Sequence, residues 1–273
     1  MVKLLFFIIN SISTAHTKVR ELFIGRMKMK YKYILLLTII PFIFQLGFVT
    51  NGMKEEVEKI NTEHMDITGD KKPDTIIISG EKYEKDSPFY REIFLDVELS
   101  NGTNYHLPLE AGYNPIIDYV DLNNDGVLDV FITIDSGGSG GIQYYNGFSF
   151  KNGKLKDLGA PPPVDIYGQF LDNYKAEITI NHKTEKIDLM SRKKDYDNLG
   201  IYLHGQLSEP TELMVDEYSK MKIRKNNRNK TILIGSQLVS GAYHADGIAI
   251  VESTWIWKNN KWNLISTEVN PLK

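Results

Sequence analysis

One short segment of the sequence spaces its oxygen-bearing side chains as a divalent cation would require. It is the nine-residue run DLNNDGVLD, and it carries such side chains at its first, third, fifth and ninth positions: Asp121, Asn123, Asp125 and Asp129. Calcium takes about six to eight oxygen atoms, so one ion fits if the backbone carbonyl of Val127 completes the set. Gly126 stands where the chain must turn sharply. We therefore predict a calcium site in this segment, named loop 2 below.

A second segment, loop 1, repeats the pattern less completely. Its side-chain oxygens come from Asp66, Thr68, Asp70 and Asp74, and the backbone carbonyl of Lys72 takes the place of the Val127 carbonyl. Lys71 replaces the glycine and brings a positive charge to the loop. The alternative for both loops is that Asp, Asn and Gly only supply turn chemistry.

The strands that must position these loops recur with them. Each loop is followed by an apolar run, TIIIS at 75–79 or VFITI at 130–134, and later by an Asn-Gly pair at Asn101 or Asn152. The loops lie 55 residues apart and the Asn-Gly pairs 51 apart. Two fainter copies of the loop pattern follow, and the acidic groups are progressively lost in them. The first comprises Gln169, Asn173 and Glu177, and the second comprises Lys222, Asn226 and Lys230. We read four pseudo-repeats of about 50 residues.

The same patterns predict a mainly β fold of antiparallel, blade-like repeats with few short helices. Further strands are expected in these runs: 92–99, 147–150, 176–180, 231–234, 248–257 and 262–265. The best helical segment is Thr211–Met221, and a short helix is also expected at Met53–Asn61. Loop 2 does not match an EF-hand, because strands flank it and Ile132 stands where a twelve-residue loop needs a glutamate.

The D-x-N-x-D-G-x-x-D loop followed by a strand resembles the FG-GAP or VCBS-type repeats, the calcium-loop repeats of integrin-α-like propellers. The resemblance covers residues 60–180 best. It implies a partial or small β-propeller-like fold, calcium ligands at the positions named above, and a role in adhesion or surface recognition. The segment from Gly241 to Trp257 is similar to stretches of uncharacterised exported proteins of Gram-positive spore-formers.

The N-terminal segment predicts export. Lys28, Lys30 and Lys32 precede an uncharged run from Tyr33 to Met53, as in a secretory signal. We expect residues 27–52 to be a signal peptide or, alternatively, an uncleaved anchor. Residues 1–26 are expected to be a mis-annotated extension, and 53–273 the β-repeat domain.

Charge and composition narrow the partners. Residues 1–52 hold seven of the 32 Lys and Arg and one of the 35 Asp and Glu, so the remainder carries a net charge of −9. That charge argues against nucleic acid and anionic lipid as binding partners. Contact with a membrane is then expected only if the N-terminal segment stays uncleaved as an anchor. The absence of cysteine excludes disulfides and thiolate chemistry.

The sequence points to no enzyme, and three functions stay open. The first is an extracellular or cell-surface calcium-binding module that recognises an envelope protein or polysaccharide. The second is a secreted hydrolase of wall or matrix, and the third a spore or surface-layer structural protein. His244 beside Asp246, and Trp255 with Trp257 as a sugar-stacking face, are the remaining candidates, although structural roles are commoner for such residues.

Overall fold

The structure of the chain is a computed structural model that describes residues 57–138 and 140–272. The predicted extension and signal at residues 1–52 lie outside these ranges. Within them, no helix is long and apolar enough to cross a membrane.

The first half of the described chain forms two four-stranded antiparallel sheets, each a simple meander. Sheet 1 comprises β1 (Glu58–Met65), β2 (Asp74–Lys82), β3 (Tyr90–Glu98) and β4 (Asn104–Leu109). Sheet 2 comprises β5 (Tyr113–Val120), β6 (Asp129–Asp135), β7 (Gln143–Ser149) and β8 (Lys156–Asp157). The inner strands β2 and β6 are buried along most of both faces, as their continuous apolar runs predict, whereas the edge strand β1 is more exposed.

The second half forms two further antiparallel sheets. Sheet 3 has three strands, β9 (Tyr167–Leu171), β10 (Lys175–Ile180) and β11 (Lys183–Asp188), with β10 in the middle. After it come a 3₁₀ turn (Met190–Arg192), helix α1 (Lys193–Asn198) and a small hairpin of β12 (Tyr202–Leu203) and β13 (Gln206–Leu207). Sheet 4 comprises β14 (Met214–Lys225), β15 (Thr231–Ser240), β16 (Gly247–Lys258) and β17 (Lys261–Pro271).

The expected mainly β, antiparallel and blade-like fold is confirmed, and the sheets are not closed into a ring. The predicted helix at Thr211–Met221 is wrong, because most of it forms β14, paired with β15. Tyr218 is buried there and donates its hydroxyl to the Pro162 carbonyl, so strand pairing and packing override a weak helical pattern. Residues 58–61 of the other expected helix lie in β1, and 53–56 lie outside the described residues.

The loops fall at equivalent places in the sheets. Loop 1 joins β1 to β2 and loop 2 joins β5 to β6, while the Asn-Gly pairs join the third strand to the fourth. The two fainter copies of the pattern, centred on Asn173 and Asn226, lie in the first hairpins of sheets 3 and 4. The positions predicted to flank them as loop residues were wrong. Gln169 and Glu177 are strand residues paired across β9 and β10, and Lys222 lies within β14. Those hairpins are tighter than the acidic loops.

Three apolar clusters hold the sheets together. One joins sheets 1 and 2, and another joins sheets 3 and 4 with α1. The third is small and lies next to loop 2, where Leu122 packs with Phe131, Leu158 and Leu233. Leu122 itself belongs to loop 2, so this cluster fixes the loop to sheets 2 and 4.

Candidate metal centre

The two acidic loops share one backbone conformation. At their fourth positions, Gly69 has a φ of 82° and Asn124 a φ of 61°. At their sixth positions, Lys71 has a φ of 69° and Gly126 a φ of 90°. Lys71 therefore adopts the left-handed conformation for which loop 2 uses glycine, at a cost of roughly 1 kcal/mol. The repeated sequence pattern of the two loops therefore corresponds to a repeated backbone conformation.

The ninth-position aspartates anchor both loops in the same way. Asp74 begins β2 and Asp129 begins β6, and both side chains are completely buried. The amide of Ile67 donates to Asp74 Oδ2 at 3.0 Å, and that of Leu122 donates to Asp129 Oδ2 at 2.8 Å. Each carboxylate therefore closes its loop through the second residue.

Loop 1 satisfies its own oxygens. Asp66 accepts amide hydrogen bonds from Thr68, Gly69 and Lys71. Ser100 then supplies two donors: its amide lies 2.8 Å from Asp74 Oδ1, and its hydroxyl 2.7 Å from Asp70 Oδ2. The Ser100 hydroxyl and the Lys72 amide lower the pKa of Asp70. A cation at loop 1 would have to displace these donors, so loop 1 does not fit the predicted ion.

In loop 2, Asp121 and Asp125 also accept hydrogen bonds from loop amides. Asp121 takes the amide of Asp125 at 2.8 Å on one oxygen and that of Gly126 at 3.0 Å on the other. Asp125 Oδ1 accepts the amide of Val127 at 3.1 Å. Turn chemistry and metal chemistry thus use the same side chains here, as the sequence left open.

Two buried oxygens of loop 2 have no such partner. Among the described residues, Asn123 Oδ1 and Asp129 Oδ1 lack any hydrogen bond of normal geometry. Burial raises the pKa of Asp129 to about 6, against the opposing effects of the Ser149 hydroxyl and the Asn123 and Leu122 amides. A buried carboxylate oxygen that lacks a well-formed hydrogen bond or a cation destabilises the fold. Both atoms belong to the ligand set that the sequence predicts.

A lysine from the neighbouring hairpin reaches the same loop. The Lys151 ammonium donates to the Asp125 carbonyl at 2.7 Å and lies 3.4 Å from Asp125 Oδ1. Lys151 precedes the Asn152-Gly153 pair as Ser100 precedes Asn101-Gly102, so the two residues are equivalent. Where loop 1 receives a neutral hydroxyl, loop 2 receives a positive charge. The Lys151 ammonium is thus a cation that contacts Asp125 of loop 2.

The loop 2 residues fit a calcium ion only with rearrangement. No three His, Asp or Glu side chains converge as a metal site anywhere in the described ranges. An ion would be held by Asn123 and Asp129, which have free oxygens, together with Asp121, Asp125 and the Val127 carbonyl once these turn inward. When bound, calcium would supply the positive charge that Asp129 lacks.

Loop 2 is tied to sheet 4 as well as to its own sheet. The Asn124 side chain accepts the amide of Thr231 at 2.6 Å and donates to the Thr231 carbonyl at 3.3 Å. Thr231 is the completely buried first residue of β15. The loop is thereby held at both its second and fourth residues, which limits the rearrangement to the remaining positions.

The histidine candidate has a different partner from the expected one. His244 Nδ1 lies 3.2 Å from Asp216 Oδ1, and Asp216 is buried on β14. Asp246 instead accepts a hydrogen bond from the Tyr196 hydroxyl at 2.7 Å and forms an ion pair with Arg192. Sequence proximity suggested the wrong carboxylate, because the β14 residue is 28 positions away.

The tryptophans divide between core and surface. Trp255 is 7% exposed, and its indole N–H donates to Tyr218 and Ser253. Trp257 is only partly buried and stacks edge-on against Trp262, at 5.3 Å between ring centroids. The expected pair on one stacking face is therefore reduced to Trp257.

Together these features define a chain of antiparallel β meanders with one distinctive acidic loop. Residues 164–270 match the family described as the YybI C-terminal domain. The chain is also similar to the uncharacterized protein YybI of Bacillus subtilis (strain 168), with 26% identity over 207 residues, covering 72% of this chain and 79% of that protein. No solved structure matches. The family match includes sheets 3 and 4 and excludes loop 2.

Proposed function

We propose that the chain is a secreted or surface-attached calcium-binding β-repeat module that recognises an envelope protein or polysaccharide. The observation that supports it best is the pair of buried loop 2 oxygens, Asn123 Oδ1 and Asp129 Oδ1, that lack a hydrogen bond of normal geometry among the described residues. Loop 1 has the same backbone yet has donors on both oxygens of Asp74. The difference between the loops points to a ligand that only loop 2 takes.

Calcium suits this site better than other common cations. The available atoms are carboxylate, amide and carbonyl oxygens, which a hard cation prefers, and calcium accepts irregular arrangements of such ligands. Modest affinity, with a dissociation constant on the order of 10⁻⁴–10⁻³ M, is sufficient in extracellular fluid. That regime agrees with the predicted export.

The test is thermal unfolding of the full chain in excess calcium and in chelator. We expect calcium to raise the melting temperature of the wild type, and magnesium to do so much less. Asn123→Ala should reduce the calcium effect, whereas the matched Thr68→Ala change at the third position of loop 1 should leave it intact. Equal melting temperatures in calcium and chelator would overturn the proposal.

A second candidate function rests on His244. Asp216 is buried and holds the imidazole through Nδ1, as a carboxylate does in a general base, and His244 lines a cleft of about 780 Å³. A Cβ atom at Gly140 would lie 3.4 Å from Asp216 Oδ2, so the glycine-rich segment approaches this dyad. The hydrolase alternative therefore predicts turnover on a glycan or peptide substrate that His244→Gln abolishes. Lack of turnover across such a panel would leave calcium-dependent recognition alone.

A further inference from the structure

A cleft of about 520 Å³ opens directly beside loop 2. One wall is the loop itself, through residues 123–125, and the other is the β16–β17 hairpin with Trp257, Lys258 and the two asparagines of its turn. Lys156 and Lys230 complete the lining. The cleft thus brings together sheet 2, sheet 4 and the candidate calcium loop.

The aromatic wall of the cleft is held firmly. Trp257 is braced by the edge-to-face contact with Trp262, whose indole N–H donates to the Leu158 carbonyl at 3.0 Å. Both rings pack against the cluster that contains Leu122. A partly exposed indole fixed in this way can stack on the apolar C–H face of a sugar ring without losing side-chain freedom.

The charge of the cleft is opposite to that of the protein. Three lysines line it, Lys156, Lys230 and Lys258, and Asp125 is its one acidic side chain. The Lys156 ammonium lies 5.4 Å from the centroid of the Trp257 ring and 2.7 Å from Asn260 Oδ1. Positive charge therefore lies over the Trp257 ring itself, in a chain that is acidic beyond residue 52.

We infer that this cleft binds an acidic glycan, a chain of sugar or polyol units that carry carboxylate or phosphate groups. Trp257 stacks on the apolar face of one unit while the lysines meet the anionic groups. This inference deepens the proposed function and rests on it, because it selects an acidic polysaccharide among the envelope partners.

Under this inference, calcium bound in loop 2 raises the affinity of the cleft for the glycan. Asp125 lines the cleft and also belongs to the predicted ligand set, so bound calcium neutralises the one carboxylate that repels an anionic ligand. Engagement of Asp125 by the ion also frees Lys151, which now contacts it. Glycan affinity should therefore rise with calcium, in the same range of concentration that stabilises the fold.

The experiment measures binding of short defined oligomers to the full chain by calorimetry, in calcium and in chelator. Galacturonic acid oligomers probe carboxylates, glycerol phosphate oligomers probe phosphates, and a neutral glucan oligomer is the control. We expect one acidic series to bind, and to bind at least about threefold more tightly in calcium, as removal of a nearby like charge predicts. The neutral oligomer should bind at least about tenfold more weakly.

Charge reversal tests the cleft without touching the core. Lys230→Glu with Lys258→Glu, both exposed, should weaken glycan binding at least about tenfold, while calcium should still raise the melting temperature of this variant. The matched control is Lys183→Glu with Lys186→Glu on β11, which changes net charge equally at exposed positions remote in sequence. Trp257→Ala should abolish binding, and retention of the calcium effect shows that this variant is folded.

The outcomes separate the two proposals. Calcium stabilisation without binding of either acidic series overturns the glycan inference and leaves the calcium module standing. Glycan binding that is lost in the cleft variants but unaffected by calcium supports the cleft and overturns its regulation by loop 2. Single-stranded DNA is titrated in the same way, and binding tighter than that of either acidic series overturns the choice of a glycan.

Discussion

Asp74 and Asp129 occupy the same position in successive sheets, yet their carboxylates are compensated differently. Both are completely buried at the start of an inner strand, and both receive the amide of the second loop residue. Asp74 has its other oxygen bonded to the Ser100 amide, whereas Asp129 Oδ1 has no partner of normal geometry in the described residues. In sheet 1 both oxygens of the ninth-position carboxylate are hydrogen-bonded, whereas in sheet 2 only Oδ2 accepts hydrogen bonds of normal geometry.

This contrast predicts opposite effects of one substitution at the two positions. In chelator at neutral pH, Asp74→Asn should cost about 1–3 kcal/mol of unfolding free energy, because an amide NH₂ then faces a backbone N–H. Asp129→Asn removes a buried charge and keeps an acceptor for Leu122, so it should be neutral or stabilising. Urea unfolding measures both. Equal losses at the two positions would contradict the uncompensated charge.

The raised pKa of Asp129 predicts how stability depends on pH without calcium. Its folded value is about 6, above the ordinary unfolded value of about 3.9. The folded state therefore takes up the proton first, so this group destabilises the fold above pH 6 and ceases to do so as pH falls toward 4. The free energy of unfolding should therefore rise by on the order of 2–3 kcal/mol from this group as the pH falls from above 6 to about 4.

Calcium should alter that profile, because it requires the ionised carboxylate. The stabilisation by calcium is then greatest above pH 6 and declines below it. Urea unfolding between pH 4.5 and 8, with and without calcium, measures both trends. Asp129→Asn is the control and should remove this contribution; an unaltered pH profile in that variant would assign the dependence to other groups.

The Lys151 ammonium donates to the Asp125 carbonyl at 2.7 Å, so under the proposed function Lys151 and calcium compete for Asp125. Lys151→Met should therefore raise calcium affinity about threefold to tenfold, the effect of removing a positive charge near the ion at roughly 1 kcal/mol. Lys154→Met, an exposed neighbour in the same hairpin, is the matched control and should change affinity little. Calorimetric titration distinguishes the two; unchanged affinity in Lys151→Met would place the ion away from Asp125.

Local signals predicted much of the fold and the location of the loops. Continuous apolar runs identified the inner strands β2 and β6, and the Asn-Gly pairs at Asn101 and Asn152 lie at turns between the third and fourth strands of sheets 1 and 2. The wrongly predicted helix at Thr211–Met221 failed because its structure is decided by pairing with β15 and by burial of Tyr218. Such long-range pairing leaves only a weak trace in a short window of sequence.

The sequence predicted where the two loops lie better than it predicted how their carboxylates are bonded. Spacing marked Asp66–Asp74 and Asp121–Asp129 as alike, but their difference lies in Ser100 and Lys151, which come from another hairpin. The order of the repeat does contain that signal, because both residues directly precede an Asn-Gly pair. The Asp216 partner of His244 carries no comparable pattern, since β14 and the 241–247 turn meet only in the folded sheet.

The buried network around Asp246 should be the most sensitive part of the domain that matches the YybI C-terminal family. Asp246 is 7% exposed and is compensated by Arg192, by the Tyr196 hydroxyl and by the Ala242 amide. Arg192 also donates to the Gly247 carbonyl at 2.6 Å, so it closes the turn before β16.

Removing one partner of such a pair leaves a buried charge, so Arg192→Met should cost about 3–5 kcal/mol. Tyr196→Phe should cost about 1–3 kcal/mol, because it removes one donor to the same carboxylate. Lys194→Met, exposed on the same helix, should stay within about 0.5 kcal/mol. Denaturant unfolding in excess calcium gives all three values, and a loss in Arg192→Met no greater than in Lys194→Met would contradict a stabilising role for the Arg192–Asp246 ion pair.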